Sequence, residues 1–457
     1  MLMKFFFETY GCQMNIAESA ALALVARERG WEEAADSDEA DLVLINTCSV
    51  RATAEQRVLG RLAHYTAYKK KRLLMGNKST LTLVLAGCMA ECVGEKLKKE
   101  YPALDYAIGT QARQNFPLIL EAVEKGSSFM ESDAICREKP VFSFSPFHLD
   151  AVSTSGSPFK SFVPIMHGCN NFCSYCIVPY VRGREVSRDP KAILEEIRIL
   201  SGKGVREITL LGQNVNSYRW GSLDFPGLLG QISGQLGHGE GGGIRWVRFL
   251  SSHPKDFSPD LIRVLAENPI FCRHIHLCVQ HGSNRILAAM NRRYTRELYL
   301  DLVSRLRSAL PGLSLSTDFL VGFPGETDGD FEEMLSLMEE VKFLYAYMYH
   351  YNPREGTAAY SLPERVSAEV KRERLSKVIA LQKQHTGEQL RARIGSDVTV
   401  LIEGISRKNA DELVCRTERD EKVVVPGNRD LVGSFARLTL LSLKGNTFRA
   451  KEVSVTF

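Results

Sequence analysis

Short apolar runs alternate with amphipathic stretches along most of the chain. In the first 135 residues, three runs rich in β-branched or aromatic side chains are each followed by a helix-compatible segment; they cover residues 5–11, 42–47 and 81–87. Continuous apolar runs of this kind are typical of strands that are buried on both faces of a parallel sheet. The pattern therefore predicts an α/β fold that begins with a doubly wound parallel sheet.

Strand and helix patterns alternate again in the middle of the chain. The candidate strands are residues 162–166, 207–211, 244–249, 274–277, 313–320 and 343–350, with helical patterns such as 259–267 and 328–341 between them. Six such units are too few for a closed eight-stranded barrel, but they can form a curved, open one. We expect a partial (β/α)6 barrel, with the glycine-rich stretch 234–243 as a surface loop.

The end of the chain has a different pattern. A strongly charged helix is predicted over residues 368–393, and five short apolar runs with polar turns follow it. This pattern favours a small all-β barrel of the oligonucleotide-binding kind. The predicted organisation is an N-terminal domain at 1–135, a linker at 136–158, a central barrel at 159–390 and a terminal barrel at 391–457.

Composition narrows the class of protein. The 457 residues contain 11 cysteines and carry a formal net charge of +4. A chain of this length can bury enough core without disulfides, so the cysteines indicate a reducing cytosol. The sequence has no signal peptide and no apolar run long enough to span a bilayer, so we expect a cytoplasmic protein without membrane association. The small net charge does not establish nucleic-acid binding; basic clusters such as 182–184, 292–293 and 371–374 are either phosphate contacts or solvated faces.

Three cysteines lie within eight residues in the central domain, as Cys169-x3-Cys173-x2-Cys176. Three thiolates can hold three irons of a [4Fe–4S] cluster and leave the fourth iron free for a ligand. The alternative is a zinc site with His167 as a fourth ligand, although structural zinc usually takes two separated pairs of ligands.

Three further cysteines each end a predicted parallel strand. Cys12, Cys48 and Cys88 are expected at the carboxyl edge of the N-terminal sheet, where ligands bind in open α/β folds. Their convergence would form a second site with three thiolates. The alternative is that they are small buried hydrophobic residues, and Cys92, one helical turn after Cys88, is the alternative third ligand.

These motifs together resemble a known family. The segments Thr9–Asn15, Asn46–Arg51 and Gly87–Ala90, followed by the three-cysteine loop with Tyr175 before its last cysteine, are similar to those of radical S-adenosylmethionine (SAM) methylthiotransferases. Gln13-Met14-Asn15 is similar to the MiaB branch, which adds a 2-methylthio group to an isopentenylated adenosine next to the tRNA anticodon. The resemblance covers nearly the whole chain.

The resemblance implies two [4Fe–4S] clusters and SAM as cofactors. Cys169, Cys173 and Cys176 would hold the cluster that cleaves SAM, and Cys12, Cys48 and Cys88 would hold an auxiliary cluster for sulfur transfer. Residues after the barrel strands are expected to bind SAM, together with Asp318 within the fifth strand and Tyr175 in the cysteine loop. The residues after strands are Gly212, Gln213, Asn214, Ser252, Gln280 and Ser283. Each of these polar residues could instead be a helix cap or turn residue.

One motif departs from the family. Where members usually have His-Leu-Pro-x-Gln-Ser-Gly-Ser, this chain has His276-Leu277-Cys278-Val279-Gln280-His281-Gly282-Ser283. The glutamine and the last serine are kept, so SAM binding is still expected. Cys278 and His281 are expected to alter local packing or access to the cluster.

The resemblance also implies partners. The terminal barrel resembles the TRAM domain, an RNA-binding module, and residues 349–357 offer aromatic and guanidinium groups to an anticodon loop. Expected partners are tRNA, an electron donor such as flavodoxin or ferredoxin, and the iron–sulfur assembly machinery. The alternatives are methylthiolation of another tRNA adenosine or of a ribosomal protein, and a non-catalytic iron–sulfur RNA-binding protein.

Overall fold

The computed structural model describes residues 2–48, 52–74, 81–126, 157–237, 243–363 and 366–456. The chain divides into two compact units. The first comprises Met1–Ser155 with Val178–Arg188, and the second comprises Gly156–Ile177 with Asp189–Phe457. The predicted linker at 136–158 lies, apart from its last two residues, outside the described residues.

The first unit is built on a parallel sheet. Its elements are β1 (Lys4–Tyr10), α1 (Gln13–Glu28), β2 (Glu32–Glu33), β3 (Leu42–Thr47), α2 (Ala52–Leu74), β4 (Thr82–Gly87), α3 (Cys88–Glu100), β5 (Tyr106–Ile108), α4 (Phe116–Glu124), α5 (Val178–Arg182) and β8 (Val186–Ser187). The five strands pair in the order β2-β1-β3-β4-β5 and all run parallel. The predicted doubly wound sheet is confirmed.

Strand β3 shows why this sheet forms. All six of its residues are buried. Leu42 and Leu44 belong to one apolar core, whereas Val43 and Ile45 belong to another. Successive side chains of a strand point to opposite faces, so a continuous apolar run supplies both cores at once.

The second unit begins with a partial barrel. Its elements are β6 (Lys160–Pro164), β7 (Met166–His167), α6 (Pro190–Gly202), β9 (Glu207–Leu211), β10 (Arg219–Trp220), β11 (Leu223–Asp224), α7 (Phe225–Leu236), β12 (Trp246–Phe249), α8 (Pro259–Glu267), β13 (His274–His276), α9 (Asn284–Ala289), α10 (Arg296–Ala309), β14 (Ser314–Val321), α11 (Asp328–Val341), β15 (Tyr345–His350) and α12 (Ala368–Arg391).

Six parallel strands form this barrel, in chain order. β6, β9 and β12 make one three-stranded sheet, and β13, β14 and β15 make another. Isolated bridges at Val247–Phe271 and Ser252–Leu277 lie across the junction between β12 and β13. The expectation of an open six-stranded barrel is confirmed.

The predicted glycine-rich loop begins later than expected. Gly234 lies inside α7, so the prediction of a loop from that residue was wrong, and residues 238–242 of the loop lie outside the described chain. Leu228, Leu229 and Ile232 are buried on this helix. Their burial outweighs the helix cost of an interior glycine, which is about 1 kcal/mol.

Four antiparallel pairings and one parallel pairing close the C-terminal barrel. Its strands are β16 (Asp397–Ile405), β17 (Glu412–Thr417), β18 (Lys422–Pro426), β19 (Phe435–Lys444) and β20 (Thr447–Thr456). They pair in the closed order β16-β17-β18-β20-β19, so the predicted small all-β barrel of five strands is confirmed. Among the residues that the structure describes, no helix is both long enough and apolar enough to cross a bilayer.

Candidate metal centres and cofactor site

Strand register brings the first three cysteines together. Thr47 on β3 is paired with Tyr10 on β1 and with Gly87 on β4. Cys48 and Cys88 therefore follow paired residues directly, and Cys12 lies two positions after its paired residue. The Cys48 thiol, directly after the middle strand, is hydrogen-bonded with both Cys12 and Cys88. We call these three residues the auxiliary thiol cluster.

Two of the three thiols in the auxiliary thiol cluster favour the thiolate form. The hydrogen bond from Cys48 lowers the pKa of Cys12 to about 6 and that of Cys88 to about 7, and the positive charge of Arg182 lowers both further against the effect of burial. The pKa of Cys48 is raised because its thiol is hydrogen-bonded with both neighbours. Iron ligation requires deprotonated sulfur, so this donor set fits an iron–sulfur cluster.

A buried charge triad lies beside these thiols. Glu18 is fully buried and pairs with Arg113 at 2.9 Å and with Arg182 at 2.7 Å. Arg182 is 3% exposed, so the expectation that the basic cluster at 182–184 lies on the surface was wrong for this residue. Two guanidinium groups against one carboxylate leave a positive charge that stabilises thiolates.

Two asparagines hold the first cysteine in place. Asn15 Oδ1 accepts from the backbone nitrogen and from the thiol of Cys12, both at 3.2 Å. Asn15 Nδ2 donates to Asn46 Oδ1 at 2.9 Å, and Asn46 Nδ2 donates back to the Asn15 carbonyl at 3.0 Å. These contacts tie the start of α1 to the end of β3, next to Cys48.

The other three predicted ligands lie in one loop after β7. Cys169 and Cys173 are buried and Cys176 is partly exposed. Arg292 Nη1 donates to the Cys173 sulfur at 3.2 Å, and its Nη2 donates to the Cys278 carbonyl at 2.7 Å. Asn291 Nδ2 donates to the Phe172 carbonyl at 2.9 Å. The segment after α9 thus anchors the cysteine loop.

Of the three predicted SAM residues after β9, Gln213 contacts the cysteine loop. Gln213 Oε1 accepts from the Gly168 nitrogen, directly before Cys169, at 2.6 Å. Asn214 Nδ2 donates to Asp256 Oδ2 at 2.8 Å, and its Oδ1 is buried without a hydrogen bond. A Cβ at Gly212 would lie 2.4 Å from Met166 Cγ, so the chain passes too close to β7 for a larger residue.

The remaining candidates lie after β12, after β13 and within β14. Ser252 is buried and its hydroxyl has no hydrogen-bond partner, so it is free to contact a ligand. Gln280 is partly exposed and has a φ of 69°, an uncommon conformation for a residue other than glycine. Asp318 Oδ2 lies 3.4 Å from His276 Nε2. Ser283 is engaged elsewhere, because its hydroxyl donates to Asp330 Oδ1 at 2.7 Å.

The two departures from the resembled motif have different surroundings. His281 is fully buried, with its Nε2 3.4 Å from Glu326 Oε2, which lies in the segment between β14 and α11. Cys278 lies next to His276 and Asp318, which sequence reasoning did not predict. Tyr175 packs against the apolar cluster that contains Ile286, Phe323 and Tyr351.

Comparison with known proteins gives two family matches. Residues 163–338 match the model of the radical SAM superfamily, and residues 4–109 match the model described as uncharacterized protein family UPF0004. These ranges contain the cysteine loop and the auxiliary thiol cluster, respectively.

Curated relatives match along the whole chain. A tRNA-2-methylthio-N(6)-dimethylallyladenosine synthase of Treponema pallidum is 48% identical and covers 99% of both chains. Relatives with the same name from Treponema denticola and Geobacter metallireducens are 49% and 44% identical. They cover 98% and 94% of this chain, and 99% and 94% of their own.

Solved structures support the fold. The radical SAM methyltransferase TsrM from Kitasatospora setae aligns with a TM-score of 0.57 at 13% identity, over 79% of this chain and 77% of its own. The cobalamin-dependent radical SAM enzyme OxsB aligns with a TM-score of 0.52 at 12% identity, over 84% of this chain and 56% of its own.

Proposed function

The chain belongs to the family of tRNA-2-methylthio-N(6)-dimethylallyladenosine synthases, and from this premise we propose which residues serve each part of the reaction. The protein is a radical SAM methylthiotransferase that converts N6-isopentenyladenosine next to the tRNA anticodon into its 2-methylthio derivative. When bound, two [4Fe–4S] clusters and SAM supply the radical, the methyl group and the sulfur that this reaction needs.

Cys12, Cys48 and Cys88 hold the auxiliary cluster in this proposal. The supporting observation is that Cys48 is hydrogen-bonded with both other thiols at the end of three adjacent strands. Arg182 balances the negative charge of the thiolates, and Glu18 fixes the position of Arg182. Asn15 is a positioning residue for Cys12.

Cys169, Cys173 and Cys176 hold the second cluster. Arg292 donates to the Cys173 sulfur, and hydrogen bonds to cluster sulfurs tune a cluster's reduction potential. Gln213 holds the backbone at Gly168 and is therefore a positioning residue for this loop. Three ligands from one loop leave the fourth iron without a protein ligand, as SAM binding requires.

Gln280 and Asp318 are the first candidates for SAM contacts. Both are partly exposed, and the bridge between Gln280 and Phe319 places Gln280 beside the part of β14 that contains Asp318. The carboxylate of Asp318 suits the ribose hydroxyls or the ammonium group, and Gln280 can both donate and accept. Ser252, Asn214, Tyr175 and Gly212 complete the proposed pocket, and Ser283 supports it by holding Asp330.

The substrate base is read by aromatic stacking in this proposal. Tyr347 and Tyr349 on β15 are 52% and 40% exposed. Unpaired RNA bases stack on such side chains, and Arg354 nearby in sequence can contact phosphate. Tyr351, at 2% exposed, is part of the core and makes no such contact.

The domains share this work. We assign residues 1–135 to the auxiliary cluster, 159–390 to SAM and the base, and 391–457 to RNA binding as a TRAM domain, with 136–158 as the linker. None of the ten described cysteines forms a disulfide, which suits the cytoplasm. There an electron donor such as flavodoxin or ferredoxin would reduce the clusters, and the iron–sulfur assembly machinery would load them.

The direct test is product analysis in vitro. Anaerobically reconstituted protein is incubated with SAM, a reductant and isopentenylated tRNA, and the nucleosides are separated by mass spectrometry. We expect 2-methylthio-N6-isopentenyladenosine and 5′-deoxyadenosine to appear together. The same tRNA without the isopentenyl group is the control substrate.

Other outcomes identify the alternatives. If the expected nucleoside is absent and unmodified adenosine or a ribosomal protein is methylthiolated instead, that molecule is the substrate. A protein that binds tRNA and iron but releases no 5′-deoxyadenosine from SAM would be a binding module.

A further inference from the structure

Three ligand-type side chains converge at the junction of β13 and β14 outside the two cysteine sets. His276, Cys278 and Asp318 each present one donor atom, and these atoms lie within 4.8 Å of one another. We propose that this triad binds a single zinc-class divalent cation. We call it the His276 triad.

The distances suit a tetrahedral ion. Zinc bonds of about 2.0–2.3 Å place neighbouring tetrahedral ligands about 3.3–3.8 Å apart. His276 Nε2 and Asp318 Oδ2 are 3.4 Å apart, which already matches one edge of such a tetrahedron. The sulfur needs to approach by at most about 1–1.5 Å to complete the set.

The imidazole is already oriented as a ligand. His276 Nδ1 is hydrogen-bonded to Ser316 Oγ at 2.9 Å, and the Tyr347 ring packs edge-on at 5.7 Å. A partner on one ring nitrogen fixes the orientation and leaves the other nitrogen for a metal. Here the other nitrogen is Nε2, which faces Asp318.

The donor set selects the class of ion. One imidazole, one thiolate and one carboxylate form a mixed set that Zn²⁺ accepts and that Mg²⁺ and Ca²⁺ do not. The thiolate and carboxylate together balance the two positive charges, and the Cys278 thiol loses its proton to solvent on binding. Three protein ligands leave the fourth position open to water.

Zinc bound at the His276 triad would compete with SAM for Asp318. This step depends on the proposed function, in which Asp318 contacts SAM. A carboxylate that ligates a cation is not available to a ribose or an ammonium group. The His276 triad would therefore make SAM binding sensitive to zinc, whereas zinc uptake itself is independent of turnover.

Zinc titration of the cluster-loaded protein tests the site. The clusters occupy the six cysteines of the two sets, and zinc is titrated anaerobically in competition with a chromophoric chelator while released iron is measured. We expect one zinc per chain, no iron release, and weaker SAM binding in equilibrium dialysis when zinc is present. Cys278→Ala and His276→Gln should each weaken zinc binding at least about tenfold.

Two further variants separate ligation from nonspecific effects. Ser316→Ala should weaken zinc binding about 10–100-fold, because it removes the partner of the ligating imidazole. Cys92→Ala, which removes an exposed thiol from α3, should bind zinc as the unchanged protein does.

Equal zinc affinity in Cys278→Ala would overturn the proposal, as would iron release that matches zinc uptake. Zinc binding that leaves the affinity for SAM unchanged would show that zinc and SAM do not compete. None of these readings needs 2-methylthio product, so failure of the proposed function would be seen separately.

Discussion

At the residue scale, the positions of the auxiliary thiols depend on the small residues before them. Gly87 precedes Cys88 and has a φ of +90°, which L side chains rarely adopt. A Cβ there would lie 2.5 Å from Asn46 Oδ1 and 2.6 Å from the Thr47 carbonyl. Glycine therefore allows β4 to approach β3 closely enough for Cys88 to contact Cys48.

Gly87→Ala tests this account against a matched variant. Gly30 also has a positive φ, of +83°, but a Cβ there meets nothing within 4 Å. Both changes should cost about 1 kcal/mol of backbone strain, and Gly87→Ala about 1–3 kcal/mol more through overpacking. We expect only Gly87→Ala to lower the iron content after reconstitution, measured beside the free energy of unfolding. Equal iron in both variants would mean that the close approach is not needed.

Individual residues differed in how well the sequence predicted them. The places of the six cysteines, after three strands and in one loop, were predictable because their spacing and the apolar runs before them are local signals. Their role as cluster ligands stays a prediction. The pairing of Glu18 with Arg182 was not, because it joins residues 164 positions apart in the sequence. Cys278 gave a signal as a departure from the motif, but its approach to Asp318 depends on how β13 and β14 pair.

At the element scale, buried ion pairs hold the strands of the central barrel to one another and to the C-terminal barrel. Glu207 on β9 is 1% exposed and contacts Lys160 on β6 at 2.8 Å and Arg248 on β12 at 3.1 Å. Lys160 also reaches Glu403 on β16 at 2.9 Å. Arg248 donates to the Thr417 carbonyl at 2.8 Å. This network joins three barrel strands to the C-terminal barrel.

The network predicts a pH-dependent stability. Burial raises the pKa of Glu207, but the charges of Arg248 and Lys160 outweigh burial and hold it below its usual value of 4.5. Its stabilising effect is therefore complete above about pH 4.5 and is lost as the pH falls through the lower folded-state pKa. Glu207→Gln should cost about 3–5 kcal/mol at pH 7 and flatten the acid side of the stability curve.

This effect is measured by urea unfolding of the cluster-free protein between pH 4 and pH 7. The fluorescence of Trp246 reports unfolding, in a variant in which the other two tryptophans are replaced by phenylalanine. Glu195→Gln, which removes an exposed carboxylate paired with Arg198, is the control and should change little. If Glu207→Gln leaves the loss of unfolding free energy at low pH unchanged, other carboxylates cause that loss.

Elements with a clear hydrophobic period were predicted from the sequence, whereas short elements were not. The six barrel strands and the long helices α10 and α11 follow their apolar patterns. The short helix α9, of six residues, was missed because it is less than two turns long and is fixed by tertiary contacts. Gly230 and Gly234 obscured α7, whose buried leucines decide its conformation.

At the scale of the whole molecule, each compact unit carries one set of three cysteines. The first unit contains the auxiliary thiol cluster and the second contains the cysteine loop. Because each set is held by contacts within its own unit, loss of one cluster should leave the other intact. A relative named tRNA-2-methylthio-N(6)-dimethylallyladenosine synthase aligns over 99% of the chain, so both units lie within one family match.

The most direct measurement is the iron and product content of a Cys12→Ala, Cys48→Ala, Cys88→Ala variant, with Cys92→Ala as the control. The account predicts that iron falls from about eight to about four atoms per chain. It also predicts that SAM is still cleaved to 5′-deoxyadenosine while the 2-methylthio nucleoside disappears, and that the control keeps both. Full iron content or continued methylthiolation in the triple variant would contradict the assignment of these three cysteines.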